Sequence, residues 1–153
     1  MSALAGLRRA APADVAAVAA LQHAAYAGNR VILGVEPLPL IADYSEIIAR
    51  DEVWLLEGDG LEGVLVLTPR TDDLLIWSVA TAPGRRGGGV GNRLLAAAEA
   101  RAAELSLGSL RLFTGEKLTD NIAWYERRGF VQERIECRPD RRLVHMVKHL
   151  TRG

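Results

Sequence analysis

Val79-Ala80-Thr81-Ala82-Pro83-Gly84-Arg85-Arg86-Gly87-Gly88-Gly89-Val90-Gly91-Asn92 is the stretch around which the chain is organised. An apolar run, Leu74 to Val79, leads into it and predicts a strand. Val90, Leu94, Leu95, Ala98, Ala102 and Leu105 follow it at helical spacing and predict a helix. Strand, glycine loop and helix together present bare backbone amides to an anion. Glycine lets the backbone approach closely. The unpaired N–H groups of a first helical turn, with the helix dipole, favour a phosphate. Arg85 and Arg86 add positive charge at the mouth. The stretch therefore predicts a phosphate-bearing ligand held by backbone between Arg86 and Asn92.

Two common nucleotide loops do not fit. A Walker loop closes its glycines with Lys-Ser or Lys-Thr, and here Gly91-Asn92-Arg93 follows. The dinucleotide fingerprint needs a third-position glycine where Arg86 stands, and it follows the first strand of its unit rather than half the chain. The spacing Arg86-x-x-Gly89-x-Gly91 after Val79-Ala80-Thr81-Ala82-Pro83 instead resembles the acyl-CoA loop of the GNAT superfamily of N-acetyltransferases. Further on, Asn121-Ile122-Ala123-Trp124-Tyr125-Glu126-Arg127-Arg128-Gly129-Phe130 resembles that family's second signature. The likeness runs roughly from Leu7 to Leu150 and is thinnest over Gly28 to Leu40.

The resemblance implies a single N-acetyltransferase domain over residues 1–153 with an α/β (α+β) fold. Its mixed, mostly antiparallel sheet has about six or seven strands flanked by helices. A central parallel pair, Leu74–Ala80 and Ser109–Thr114, splays at its C-terminal ends. It also implies acetyl-CoA (coenzyme A) as cofactor. Cofactor contacts would come from Val79, Ala80, Arg85, Arg86, Gly87, Gly88, Gly89, Val90, Gly91, Asn92, Thr114, Asn121 and Tyr125. A backbone N–H near Ser78 or Val79 would meet the acetyl carbonyl. Tyr125, four residues after Asn121 and so on the same helix face, would be the general acid for the departing thiolate.

Composition bounds the alternatives. The 19 basic residues balance the 19 acidic ones, so formal net charge is 0 and no basic run asks for nucleic acid. Apolar residues are 49% of the chain, which reads as globular. No apolar run is long enough to span a membrane. At the start, positive charge follows the apolar residues, the reverse of a signal peptide, so a cytoplasmic protein is the expectation. Cys137 is the single cysteine, and His145 and His149 share a strand face with no third ligand, so no metal is expected. Balanced charge and the C-terminal hairpin suggest a homodimer.

Along the chain, Pro12-Ala13-Asp14 opens a helix capped near Ala11 or Ala13, with Val15, Val18, Ala19, Gln22 and Tyr26 on one stripe and His23 off it. Gly28-Asn29 stops that helix. Val31 to Leu40 reads as a loop or short helical turn, and Ala42 to Arg50 as a second helix. Glu52–Glu57 and Leu61–Thr68 form a hairpin around Gly58-Asp59-Gly60. Gly108 ends the helix after the glycine loop. Thr119 or Asp120 caps a helix from Asn121 to Arg128, and Gly129 is the left-handed residue past its end. Phe130–Cys137 and Leu143–Leu150 form a final hairpin.

The acceptor is read from the remaining segments. Tyr26, Glu36, Asp43, Tyr44, Trp77 and Glu116 are candidate substrate contacts, the three acids as attractors of a cation. An ammonium must lose its proton before it attacks. Related chains often carry a glutamate base in the strand before the loop, and by register that position here is Trp77. Indole accepts no proton and Asp72 and Asp73 lie several residues earlier, which leaves Glu36, Asp43 and Glu116 as candidate bases, directly or through water, or an amine that arrives neutral. Trp77 then offers a flat wall for an apolar or aromatic acceptor. Gly115 is a second departure, where related chains often have a polar side chain. These features favour acetyl transfer to a small-molecule primary amine. The alternatives are a peptide or protein acceptor, or a non-catalytic acyl-CoA-binding protein of the same fold.

Overall fold

A computed structural model describes residues 3–4 and 6–150. In chain order it contains β1 (Ala3–Leu4), β2 (Leu7–Arg9), α1 (Val15–Tyr26), α2 (Asn29–Leu33), α3 (Leu38–Ile41) and α4 (Tyr44–Arg50). Then come β3 (Glu52–Gly58), β4 (Gly60–Pro69), β5 (Leu74–Thr81), α5 (Val90–Glu104), β6 (Ser109–Gly115), α6 (Thr119–Glu126), β7 (Val131–Cys137) and β8 (Arg142–His149). All strands join one eight-stranded sheet, ordered β1-β2-β3-β4-β5-β6-β8-β7. The two-residue β1 takes the count above the six or seven expected. The β5–β6 pair is parallel, and the other pairs are antiparallel.

Both faces of the central strands are covered, so their residues are apolar on both sides of the pleat. Trp54, Leu56, Leu65 and Leu67 face α5, with Leu94, Leu95 and Ala98. Their neighbours Val53, Leu55, Val64 and Val66 face α1 and α4, with Val18, Leu21, Tyr44 and Ile47. Period-two alternation in β3 and β4 thus feeds two separate cores. Gly63 sets the height of α5 above the sheet: a Cβ there would lie 2.8 Å from Val90 Cγ1 and 3.2 Å from Leu94 Cδ1.

Several boundaries differ from those the sequence predicts. A 3₁₀ turn over Pro12–Asp14 precedes α1. Its cap comes from inside the turn, because the Asp14 carboxylate accepts from the Ala11 N–H at 2.7 Å. The segment expected as a loop folds into α2 and α3, separated by Gly34 at φ +73°. Leftward turning after α5 falls on Ser106 (φ +57°), not on Gly108. Thr119 and Asp120 lie inside α6, with Leu118 in the capping position. Gly129 does adopt positive φ, +94°.

Two irregularities in β5 shape the functional region. Its parallel pairing with β6 covers Leu74↔Leu110, Leu75↔Arg111 and Ile76↔Leu112 and goes no further, although both strands continue. The sheet is therefore split beyond Ile76 and Leu112. The antiparallel register with β4 jumps from Val66↔Ser78 to Leu67↔Ile76, which makes Trp77 the extra residue of a β-bulge. The bulge re-aims the strand. Ile76 packs in the α5 core, Trp77 and Ala80 pack in the α1 core, and Ser78 bonds to α1 side chains.

Candidate active site

A cavity of about 610 Å³ runs through the split, from the glycine loop to the ends of β6 and β8. At the loop end the backbone supplies the chemistry. Gly87 and Gly89 adopt positive φ, +85° and +83°, which side chains resist. A Cβ on either would meet nothing within 4 Å, so the loop's surface here is open. Gly89 occupies the N-cap of α5, and the helix closes with Arg93 N–H donating to the Gly89 carbonyl. The Val90, Gly91 and Asn92 N–H groups precede that first bond and have no partner among the described residues, as expected at a helix N-terminus. Arg85, Arg86 and Arg128 line the same end.

Tertiary contacts hold this end in shape. Arg86 donates to the Ala25 carbonyl at 2.8 Å, tying the loop to α1. Arg85 pairs with Glu62 at 3.4 Å. Gly91 lets α5 approach α6, since a Cβ there would lie 2.9 Å from Trp124 Cζ2. Arg128 stacks 3.8 Å over the Trp124 ring and donates to Asn92 Oδ1 at 2.6 Å. Sequence reading missed Arg128. Its only signal is its position four residues after Trp124 on the same helical face.

In the middle of the cavity a polar chain sits on β5. Gln22, fully buried on α1, donates from Nε2 to Ser78 Oγ at 3.1 Å. Tyr26 Oη lies 2.9 Å from Ser78 Oγ and donates to the Val79 carbonyl at 3.2 Å. Burial pushes the Tyr26 phenol pKa up. Tyr125, on α6 with Asn121, faces this chain across the split and packs edge-on against Trp124 and Phe130. Its hydroxyl makes no hydrogen bond among the described residues. Burial, then the neighbouring Tyr26, raises its pKa, so the phenol stays protonated through the neutral range.

The structure brings most candidate residues to one cavity and leaves others out. Tyr26, Trp77, Ser78, Val79, Ala80, Arg85, Arg86, Gly87, Gly89, Val90, Gly91, Asn92, Thr114, Asn121 and Tyr125 line it. Gly88 does not; its N–H turns back to the Arg85 carbonyl. The three acids proposed to attract a cation are committed elsewhere. Glu36 pairs with Arg30 on the surface. Asp43 caps α4, accepting from the Ser45 and Glu46 N–H groups. Glu116 pairs with Arg142 at 3.1 Å. Tyr44 donates to the Pro39 carbonyl at 2.6 Å and packs edge-on to Trp77, behind the wall rather than on it. No Asp, Glu or His lines the cavity among the described residues. Gly115, the second departure, is filled by a neighbour: a Cβ there would lie 2.6 Å from Leu33 Cδ2. The missing polar side chain thus lets α2 close over the end of β6.

The family model for the acetyltransferase (GNAT) domain matches residues 49–132, more than half of the chain. The chain belongs to the GNAT acetyltransferase family. Solved GNAT structures repeat its fold at low sequence identity. The PaiA N-acetyltransferase from Thermoplasma acidophilum, solved with coenzyme A, is 15% identical, with TM-score 0.76 over 94% of this chain and 97% of that one. The ribosomal-protein-S18-alanine N-acetyltransferase from Escherichia coli is 16% identical, with TM-score 0.75 over 96% and 94%. An IAA acetyltransferase from Bacillus cereus is 19% identical, with TM-score 0.68 over 94% and 98%. No curated protein matches the sequence. Among the described residues no helix is long and apolar enough to cross a membrane, and no cluster of three metal-ligating side chains occurs.

Proposed function

We propose that this GNAT protein is an N-acetyltransferase that moves an acetyl group from acetyl-CoA directly to a primary amine of a small molecule. The observation that carries the reading is the continuous cavity joining the open amides of α5 to Tyr125 through the split between β5 and β6. Acetyl-CoA supplies the thioester carbonyl and the thiolate leaving group. The Gly87–Asn92 backbone and the Arg85 and Arg86 guanidiniums bind its phosphates. Asn121 and Thr114 orient its arm, and backbone N–H at Ser78 or Val79 meets the charge that develops on the carbonyl oxygen. The acceptor nitrogen bonds to the acetyl carbon as the carbon–sulfur bond breaks. Tyr125 gives its proton to the sulfur and is reprotonated from solvent. With no carboxylate or imidazole lining the cavity, the amine enters in its neutral form, and its second proton leaves to water.

Calorimetric titration of acetyl-CoA into the parent protein and into Gly89→Glu tests the reading. The variant puts a carboxylate, at a strained φ, against the bound phosphates. Binding by the parent and roughly 100-fold weaker binding by the variant are expected. No heat with the parent removes the enzyme assignment.

A further inference from the structure

Four arginines line the cavity: Arg85, Arg86, Arg128 and Arg141. Three of them stand at the glycine loop, where phosphates are expected. Arg141 does not. It immediately precedes β8, two residues before Leu143, and Leu143 pairs with Gly115 at the C-terminal end of β6. That end is closed by Leu33 and Leu118 against Gly115. Arg141 therefore belongs to the end of the cavity away from the phosphate cradle.

Its guanidinium is unusual for a surface hairpin. The side chain is 8% exposed, whereas that of Asp140, its partner, is 55% exposed. Nε and Nη2 donate to the two Asp140 carboxylate oxygens at 3.2 and 3.0 Å. Nη1 makes no hydrogen bond among the described residues. No fully buried side-chain nitrogen or oxygen in these residues lacks a partner, so Nη1 is not sealed off, and Arg141 is one of the residues lining the cavity. Asp140 holds Nε and Nη2, which leaves Nη1 for a further partner, and the side chain lines the cavity. A guanidinium presents its donors in a fixed plane suited to a carboxylate. Apolar side chains of the same cavity include Leu33, Leu38, Trp77, Phe113, Leu118 and Leu143.

We infer that the acceptor is a primary amine carrying a carboxylate on an apolar body, and that Arg141 binds that carboxylate. The inference rests on the acetyltransferase reading above and narrows its substrate class. It reverses the charge expected from sequence. Glu36, Asp43 and Glu116 suggested a cationic acceptor, but none of them lines the cavity, whereas a cation does. An acceptor whose remaining charge is positive would meet Arg141 with no carboxylate to offset it.

The test uses amines matched in pairs with and without the carboxylate: phenylalanine with phenethylamine, and 4-aminobenzoate with aniline. A peptide with a free apolar N-terminus is assayed beside them. Acetylation by the parent, Arg141→Lys and Arg141→Gln is followed, with circular dichroism as the folding check. The parent should favour the carboxylate member of a pair by roughly 10- to 100-fold in kcat/KM, the worth of one charge-assisted hydrogen bond. Arg141→Gln should bring that ratio close to one, mainly through KM, and Arg141→Lys should restore part of it. A parent ratio near one, a ratio unchanged in Arg141→Gln, or turnover of the peptide alone overturns the inference. Should no amine turn over, titration of the N-acetylated carboxylates decides. Binding to the parent that is lost in Arg141→Gln supports the site, and no binding overturns it. Failure of the acetyl-CoA titration is a separate result, because it removes the enzyme assignment itself.

Discussion

At the glycine-loop end of the cavity the groups facing the ligand are mostly backbone amides, fixed by Gly87 and Gly89 at positive φ and by the first turn of α5. At the far end they are side chains delivered by α2, α3, β6 and the turn before β8. The first end presents a charge pattern suited to phosphate and is written in local sequence. The other, where the proposed acceptor would bind, is assembled from segments far apart in the chain. The strands between them keep the two ends in register, so damage at each end should differ in kind: chemistry and scaffold on one side, binding preference on the other.

The largest effect is expected at the junction. Tyr125→Phe removes the hydroxyl that faces the β5 chain and keeps the ring contacts with Trp124 and Phe130. Turnover should fall by roughly 10²- to 10⁴-fold while acetyl-CoA binding holds, because in the proposed mechanism the lost group acts only as the sulfur leaves. Steady-state kinetics beside calorimetry makes the comparison. Equal turnover takes Tyr125 out of the mechanism. The pH dependence sharpens the result. With no base lining the cavity, kcat/KM should rise with pH until the acceptor's own ammonium has titrated, and the midpoint should move as the amine is changed. A midpoint that stays fixed across amines would point to a base on the protein.

Next comes the scaffold of the loop end. Gly63→Val drives a side chain into Val90 and Leu94, which already stand 2.8 and 3.2 Å from a bare Cβ. Both partners are buried core residues, so α5 must lift or the core must strain, at about 1–3 kcal/mol. Urea denaturation should show the loss, and acetyl-CoA affinity should fall with it because the cradle rides on α5. Unchanged affinity in the destabilised variant would separate the cradle from the helix that carries it.

How much of this was legible follows the same division. The loop and the α5 stripe could be read because each is a local pattern whose spacing sets its geometry, whereas the Asn121/Tyr125 pair was read from its resemblance to a family signature. The β3 and β4 alternation was legible for the same reason. Trp77 was legible as a departure, but the bulge was not, since a register shift depends on how β4 pairs. The acids misled because sequence shows charge and not partner: Asp43 was needed by α4 as a cap, and Glu116 by Arg142. Arg141 read as part of a turn because nothing local shows that β8 inserts between β6 and β7 and carries the turn to the cavity.

Tyr26 reaches the cavity from α1, and the 3₁₀ turn ahead of α1 is held by Asp14. Its carboxyl pKa is lowered from 3.8 to about 2, first by Arg8 and then by the Ala11 N–H. A carboxyl with a lowered folded pKa adds stability that is present above its unfolded value and lost as pH falls through the folded one. Asp14→Asn should therefore be less stable than the parent at neutral pH, by about 0.5–1 kcal/mol for a partly exposed cap. The gap should close as pH drops from 3.8 toward 2. Paired thermal melts across that range measure it. A gap independent of pH would mean that the loss comes from altered geometry and that the Asp14 charge contributes nothing.

The smallest effect is expected at Glu36, and it discriminates between the two accounts of the acceptor end. If this end attracted cations, Glu36 would be one of the groups doing so, and Glu36→Gln would raise KM for a positively charged amine. The structure gives Glu36 a different task. It pairs with Arg30 at the surface, the two side chains being 45% and 55% exposed, and it does not line the cavity. Pairs of that exposure contribute little, because solvent screens the attraction and two long side chains must be held still. Glu36→Gln should therefore change stability by less than about 0.5 kcal/mol. Its kcat/KM should stay within about threefold of the parent, since only screened, long-range charge is altered. Asp43→Ala is the internal contrast: it removes the cap of α4 and should lower stability with the same acceptor preference. A clear rise in KM for cationic amines in either variant would return the acids to the acceptor site and set them against Arg141 as the group that chooses the substrate.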